Sequence, residues 1–328
     1  MLIDTCIPYI SMEDLIYRKP DSMYGKTNDK YGITRCHLNG NVRSVSSYGY
    51  RFDGRRKIIK KSSTLFLDRS GIERCKINTD ENGSLLEITN YLYDERDRLK
   101  EYFTMDSYGN MTNRHVYEYS NEGFVSYIEW HAGKKYCGKH SFKYDDRGYV
   151  VLDNWESRTP ENRKSYWYKY DDNGRVIEMR EFHGAYKELS RTIYTEYDIN
   201  GHISKRYNVD ADGSVKELPC HEYDSTGRII TFAGLYRHQT YRVIYDANNR
   251  VIEINSNFDN EIIHVLYPRD SRKIVILRLE KNGGRELNKK EVDFDDQQNV
   301  VSIITYAGQD MEPIEAMFYS YNYYNDLM

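Results

Sequence analysis

The grouping whose spacing comes nearest to a metal centre is His131, Cys137 and His140, an H-x5-C-x2-H set of three zinc-type ligands that lacks a fourth. It falls on a predicted turn, where polar side chains and a free thiol are ordinary. Cys36-His37 and Cys220-His221 are thiol–imidazole neighbours, but both lie on extended segments, where successive side chains point to opposite faces. The acidic pairs Asp145-Asp146, Asp171-Asp172 and Asp295-Asp296 have the residue type for glycoside chemistry or Ca²⁺. Each pair opens a recurrent turn motif, so turn capping and solvated charge account for it. Nucleophile-elbow, zinc-protease, phosphate-loop and dinucleotide fingerprints are missing from the sequence. The expectation is a protein that is not an enzyme and that carries no metal and no cofactor.

The elements that must position these residues are set by a repeat of the form Y-x-Y-D-x-x-G-R followed by an aliphatic residue. Its second aromatic is Tyr93, Tyr119, Tyr144, Tyr170, Tyr197, Tyr223 and Tyr245 in turn, at steps of 26, 25, 26, 27, 26 and 22 residues. Four residues later stands Gly123, Gly148, Gly174, Gly201 or Gly227, with Asp97 and Asn249 as exceptions that also tolerate a left-handed backbone. Six residues later comes Leu99, Val125, Val150, Val176, Ile203, Ile229 or Val251. A weaker mid-unit copy, as at Asp106-Ser-Tyr-Gly109 and Asp210-Ala-Asp-Gly213, halves the period to about 13 residues, so each unit reads as a hairpin.

Tyr, Val, Ile and Thr alternating with Lys, Glu and Arg specify half-buried strands, and D-x-x-G specifies the tight turn between them. The fold class that follows is all-β: an antiparallel β-hairpin repeat array of about twenty short strands, coiled as one sheet or wound as a solenoid. Residues 41–328 form the array. Residues 1–40 lie outside the repeat, and Ser11-Met-Glu-Asp14 with Pro20 predicts a short helix that caps one edge. The basic run Arg51, Arg55, Arg56, Lys57, Lys60 and Lys61 reads as protection of a terminal strand.

With 47 Lys+Arg against 51 Asp+Glu, the net charge of -4 supplies no concentrated positive field for nucleic acid. No apolar run approaches the roughly 18 residues of a membrane helix, and the first ten residues lack the basic start of a signal peptide. The five cysteines are scattered and odd in number, which predicts reduced thiols and a cytoplasmic location. Tyr is the outlier at 33 copies. Tyr93, Tyr144, Tyr170, Tyr197, Tyr223 and Tyr245, with Gly148, Gly174, Gly201 and Gly227, are predicted to be structural. Tyr102, Tyr127, Tyr136, Tyr186, Tyr207 and Tyr236 lie off the consensus positions, and are the predicted partner-binding residues because interfaces enrich tyrosine.

The repeat resembles that of the RHS/YD-repeat family, over roughly 41–326 and most closely at Tyr168-Lys-Tyr-Asp-Asp-Asn-Gly-Arg-Val-Ile177. The resemblance implies a β-hairpin array and is to stand-alone bacterial YD-repeat proteins. The long toxin-shell members end in an Asp-Pro cleavage motif and a toxic domain. This sequence has no Asp-Pro pair, so those roles do not carry over. The expectation is a protein-binding scaffold, an immunity or adaptor protein for a bacterial toxin or effector, with a carbohydrate-binding or surface structural module as the alternative.

Overall fold

The structure is a computed structural model that describes residues 26–28, 34–36, 41–53, 56–218, 220–233, 240–269, 272–307 and 311–323. The alternating segments are strands. β1 (Lys26–Asn28) and β2 (Thr34–Cys36) form a small ladder of their own. The remaining strands are β3 (Val42–Asp53), β4 (Arg56–Leu67), β5 (Glu73–Thr79), β6 (Leu85–Tyr93), β7 (Leu99–Asp106), β8 (Met111–Tyr119), β9 (Val125–Ala132), β10 (Lys135–Tyr144), β11 (Val150–Ser157), β12 (Lys164–Tyr170), β13 (Val176–His183) and β14 (Glu188–Tyr197). They continue as β15 (Ile203–Asp210), β16 (Val215–Glu217), β17 (Glu222–Tyr223), β18 (Ile229–Ala233), β19 (Thr240–Tyr245), β20 (Val251–Ser256), β21 (Glu261–Leu266), β22 (Lys273–Glu280), β23 (Glu286–Phe294), β24 (Val300–Ala307) and β25 (Glu312–Tyr323). Among the described residues the helical content is one 3₁₀ turn at Pro160–Asn162.

The 23 strands from β3 to β25 make one antiparallel sheet in sequence order, and β25 pairs antiparallel with β3, from Glu315 opposite Arg51 to Tyr323 opposite Val42. The sheet therefore comes round on itself. Among the described residues the ladder has one gap, between β16 and β17, where no register pair joins the two. Strand directions explain the gap. Alternating from β3, β16 runs opposite to β3; alternating back from β25, itself opposite to β3, β17 runs the same way as β16. The two are halves of a single pass over residues 215–223: the first half pairs back to β15, the second forward to β18. Counted as passes, the ring has 22, the even number that antiparallel closure demands.

The repeat turns are closed by their aspartate, with Ser120 in its place in the second repeat. In the fourth repeat Asp171 Oδ1 accepts the backbone N–H groups of Asn173 (3.0 Å) and Arg175 (2.8 Å), and Gly174 takes φ +77°. The register slips by one residue after every such turn, as at Lys169/Tyr170, which makes it a bulged hairpin. Adjacent repeats are then locked through the second tyrosine. Tyr170 donates its hydroxyl hydrogen to the Val150 carbonyl (2.7 Å), Tyr197 to Val176 (2.9 Å) and Tyr245 to Ile229 (2.8 Å). The residue after the turn glycine covers that tyrosine's ring. Arg98 lies over Tyr119 (4.2 Å to the centroid), Arg175 over Tyr197 (4.6 Å) and Arg228 over Tyr245 (4.9 Å). Where it is not arginine it is a flat ring: Phe124 on Tyr144 (4.8 Å), Tyr149 on Tyr170 (5.0 Å), His202 on Tyr223 (4.0 Å).

The locking tyrosines mark the core face. There Phe232, Val243, Val251, Ile254, Ile263 and Val265 form one cluster, and Val42, Val45, Leu67, Val292, Val300, Ile303 and Tyr319 another, with Ile274 and Ile276 packed against both. Tyr168, Met179 and Ile193 form a third on β12 to β14. The apolar core thus follows β18 round to β4, while the core face of β6 to β11 is aromatic and polar instead.

Two expectations change. The sheet is coiled and comes round on itself rather than winding as a solenoid, because each pass pairs with the next. The basic run guards no edge, since β4 is flanked by β3 and β5. At the C-terminal end Tyr321 donates to the Val300 carbonyl like the internal tyrosines (2.6 Å). The predicted helix at 11–19 lies outside the described residues.

Candidate functional site

Two surfaces of β6 to β16 carry side chains that the repeat does not use. The first is on the core face, where cross-strand register sets Phe142, Asp153, Tyr166, Glu181, Arg191 and Asp210 in one row across six strands. Within it, buried Asp153 and His140 share a hydrogen bond. Buried Glu181 accepts from His183 and Arg191, and Tyr166 reaches the same carboxylate at 3.4 Å. Burial alone would raise the Glu181 carboxyl, but the His183 and Arg191 contacts hold it below its usual range. Burial first, and the Glu181 charge second, push the Tyr166 phenol up to about 12.

Beside this row stands a line of rings. Tyr102 stacks on His115 at 4.4 Å and 14°, with Tyr91 and Tyr117 at 5.9 and 6.4 Å. Burial pushes Tyr102 up to about 12, while burial and the nearby His131 hold the His115 imidazole below its usual value. Next along, Trp130 lies where a Cβ of Gly138 would be, 5.6 Å from Trp155, which covers His140 at 4.0 Å. Trp155 is 38% exposed.

The second surface is the outer face of β9 to β16. Trp167 stands 54% exposed between Leu152 and Arg180, its cross-strand partners. Tyr194 and Tyr207 stack across β14 and β15 at 5.2 Å, and Leu189 and Val215 are exposed nearby. The hairpin loop after β13 leans over this face, with Lys187 Nζ donating to Asn154 Oδ1 at 3.2 Å, and carries the fully displayed Tyr186. Charges are interspersed at mid-strand, including the Arg180–Glu178 pair (2.7 Å) and, on the adjoining β7 and β8, the Arg114–Glu101 pair (2.8 Å). Such charges cost about 2–4 kcal/mol each at the middle of a bilayer, so this face is built for water or protein rather than lipid.

The predicted partner-binding tyrosines separate. Tyr127, Tyr136, Tyr186 and Tyr207 lie on the outer face or its loop, with Tyr127 under the Lys139 ammonium (3.4 Å) and Tyr136 edge-on to His131 (5.6 Å). Tyr102 is on the core face, and Tyr236 lies outside the described residues. The H-x5-C-x2-H cluster is divided: His131 pairs with Tyr136 on the outer face, whereas His140 faces the core against Asp153. The first aspartate of each acidic pair caps its turn. Trp155, Trp167 and Glu181 went unremarked in the sequence, although three tryptophans in 328 residues, all within 130–167, were a signal to follow.

No known protein family matches the sequence, and no curated protein does. Among solved structures it is similar to the TcdB2-TccC3 structure without its hypervariable C-terminal region, with 12% identity and a TM-score of 0.44 over 85% of this chain. The chain spans 17% of that one's length. It is also similar to a porin-like protein from Bacteroides uniformis (7% identity, TM-score 0.32, 87% of this chain and 99% of that one). A third is a β-barrel-like protein of a domain of unknown function from Brucella abortus (8%, TM-score 0.19, 86% and 97%). None reaches a TM-score of 0.5, and the reading below rests on this chain's own residues.

Proposed function

We propose that the chain is a non-catalytic protein-binding scaffold of the RHS/YD-repeat type, and that its partner is a bacterial toxin or effector held by the outer face of β9 to β16. One observation supports this reading above others: exposed Trp167 and Arg180 stand on one face with the half-buried, stacked pair Tyr194 and Tyr207, the residue types that dominate binding energy at protein interfaces. They sit on a rigid sheet beside the projecting Tyr186, so little conformational entropy is lost when a partner docks. The cross-strand locks hold that surface in place, as a scaffold requires.

The test is affinity purification of the protein from its native host, in parallel with a Trp167→Ala/Tyr207→Ala variant. A stoichiometric protein retained by the first and lost by the second, toxic when expressed alone, is the expected result. A partner retained equally by both overturns the assigned face. No partner on folded wild-type protein overturns the scaffold reading.

A further inference from the structure

The face opposite the locking tyrosines changes character along the sheet. On β10 to β13 its outward positions include Lys139, Lys143, Glu156, Lys169, Glu178 and Arg180. On β25 and β3 to β6 three rows of outward positions hold no charge. The middle row runs Ser320, Ser46, Thr64, Ile77 and Ile88, each opposite the next. The rows beside it, from Phe318 through Tyr48 to Thr79 and from Asn322 through Phe66 to Asn90, are uncharged as well. Tyr48 is 41% exposed and Phe66 37%. We infer that a second copy of the chain docks on this face, about a two-fold axis along β4.

The hydrogen bonding of the face prepares it for burial. Ser46 and Thr64 share a hydrogen bond of 2.9 Å, and Ser62 and Thr79 share another. The hydroxyls at the centre are therefore satisfied within the chain, and covering them leaves no polar group without a partner.

The distribution of side chains suits an identical partner. The rings of Tyr48 and Phe318 stand on the β3 side of β4, and the branched aliphatics Ile77 and Ile88 on the β5 side. A two-fold along β4 lays the ring side of each copy on the aliphatic side of the other, and the hydroxyls of β4 on themselves. Every position then has a complement, as an isologous contact requires. With no charge on the face, identical copies do not repel, and a foreign partner finds no charge pattern to recognise.

Size sets the strength of the contact. Five strands at about 4.8 Å and three alternate residues at roughly 6.7 Å give a footprint of about 500 Å² per copy. A pair buries about 1,000 Å², the lower end for a specific interface, so the dimer is reversible rather than permanent. The outer face of β9 to β16 is not part of this contact, and a dimer presents it twice.

The experiment is sedimentation velocity on the full chain, from low micromolar to submillimolar concentration. The expected result is a reversible monomer–dimer equilibrium. Thr64→Lys sets like charges against each other across the axis and weakens the dimer at least tenfold, and Thr64→Glu does the same. Mixing the two variants restores a dimer, which a folding defect would not do. Trp167→Ala/Tyr207→Ala dimerises like the wild type. The inference is overturned if the wild type stays monomeric throughout or grows beyond a dimer, or if the two charged variants stay monomeric when mixed. Loss of the dimer in Trp167→Ala/Tyr207→Ala assigns the contact to the other face and overturns it too. A monomer that instead floats with phosphatidylcholine vesicles gives this face to lipid.

Discussion

Tyr119 donates its hydroxyl hydrogen to the carbonyl oxygen of Leu99, twenty residues and one hairpin earlier, at 2.7 Å. The same bond recurs with Tyr93, Tyr144, Tyr170, Tyr197, Tyr245, Tyr267 and Tyr321. Removing only the oxygen tests its worth. Tyr170→Phe leaves the Tyr149 stack in place and orphans the Val150 carbonyl, so unfolding in urea should show a loss of about 1 kcal/mol. Tyr186→Phe, on the exposed loop, should show none.

Backbone strain predicts two changes of opposite sign. Gly174 sits at φ +77° with the Tyr149 hydroxyl in the place of its absent Cβ. Gly174→Ala should destabilise by more than about 1 kcal/mol. Gln298 occupies the equivalent left-handed conformation at φ +64° with a side chain attached. Gln298→Gly should raise the thermal midpoint, since the left-handed region costs non-glycine residues roughly 1 kcal/mol.

Stability should fall in two stages on acidification. His115 and His221 are held below their usual imidazole range, chiefly by burial. Their contribution is therefore complete above about pH 6.5 and is lost as the pH falls towards their lower folded values. The turn aspartates Asp171, Asp198 and Asp246 are held down, first by the backbone N–H groups of Arg175, His202 and Arg250. Theirs is complete above about pH 4 and is lost below it. Urea midpoints measured from pH 8 to pH 3 should trace both limbs, and His115→Gln should flatten only the upper one.

The interrupted pass at 215–223 should be the least protected part of the ring. Only three residue pairs tie β15 to β16 and two tie β17 to β18, against seven between β14 and β15. Native-state amide exchange should therefore be fastest along 215–223 and slow across β12 to β14. Equal protection in both would contradict the description of this pass as a break.

Much of this was legible because the repeat is local physics written many times. The Asp and Gly of each turn identify the hairpins, and the period-two alternation identifies the strands between them. The residue after the glycine was read only as part of a pattern. Its role, covering the tyrosine of the next repeat, is visible only when hairpins lie side by side. Phe124, Tyr149 and His202 depart from the arginine of the motif, yet each replaces a planar cation by a planar ring. At Tyr267-Pro268 the turn aspartate of the motif is missing, yet Tyr267 keeps its bond to Val251 at 3.0 Å. The two candidate surfaces were hidden for a related reason. Asp153, Glu181 and Arg191 are far apart along the chain and become one row only through register, which a single sequence does not reveal.

The pairing of β25 with β3 has a consequence for how such a chain can change length. Removing or adding one strand would bring two parallel strands together at the join and disturb its whole hydrogen-bond pattern. Removing or adding one hairpin leaves the join as it was. The ring can therefore grow or shrink only by whole repeats of about 26 residues, widening in steps of roughly 9–10 Å of circumference. Duplication of a repeat yields another ring, and loss of half a repeat yields none.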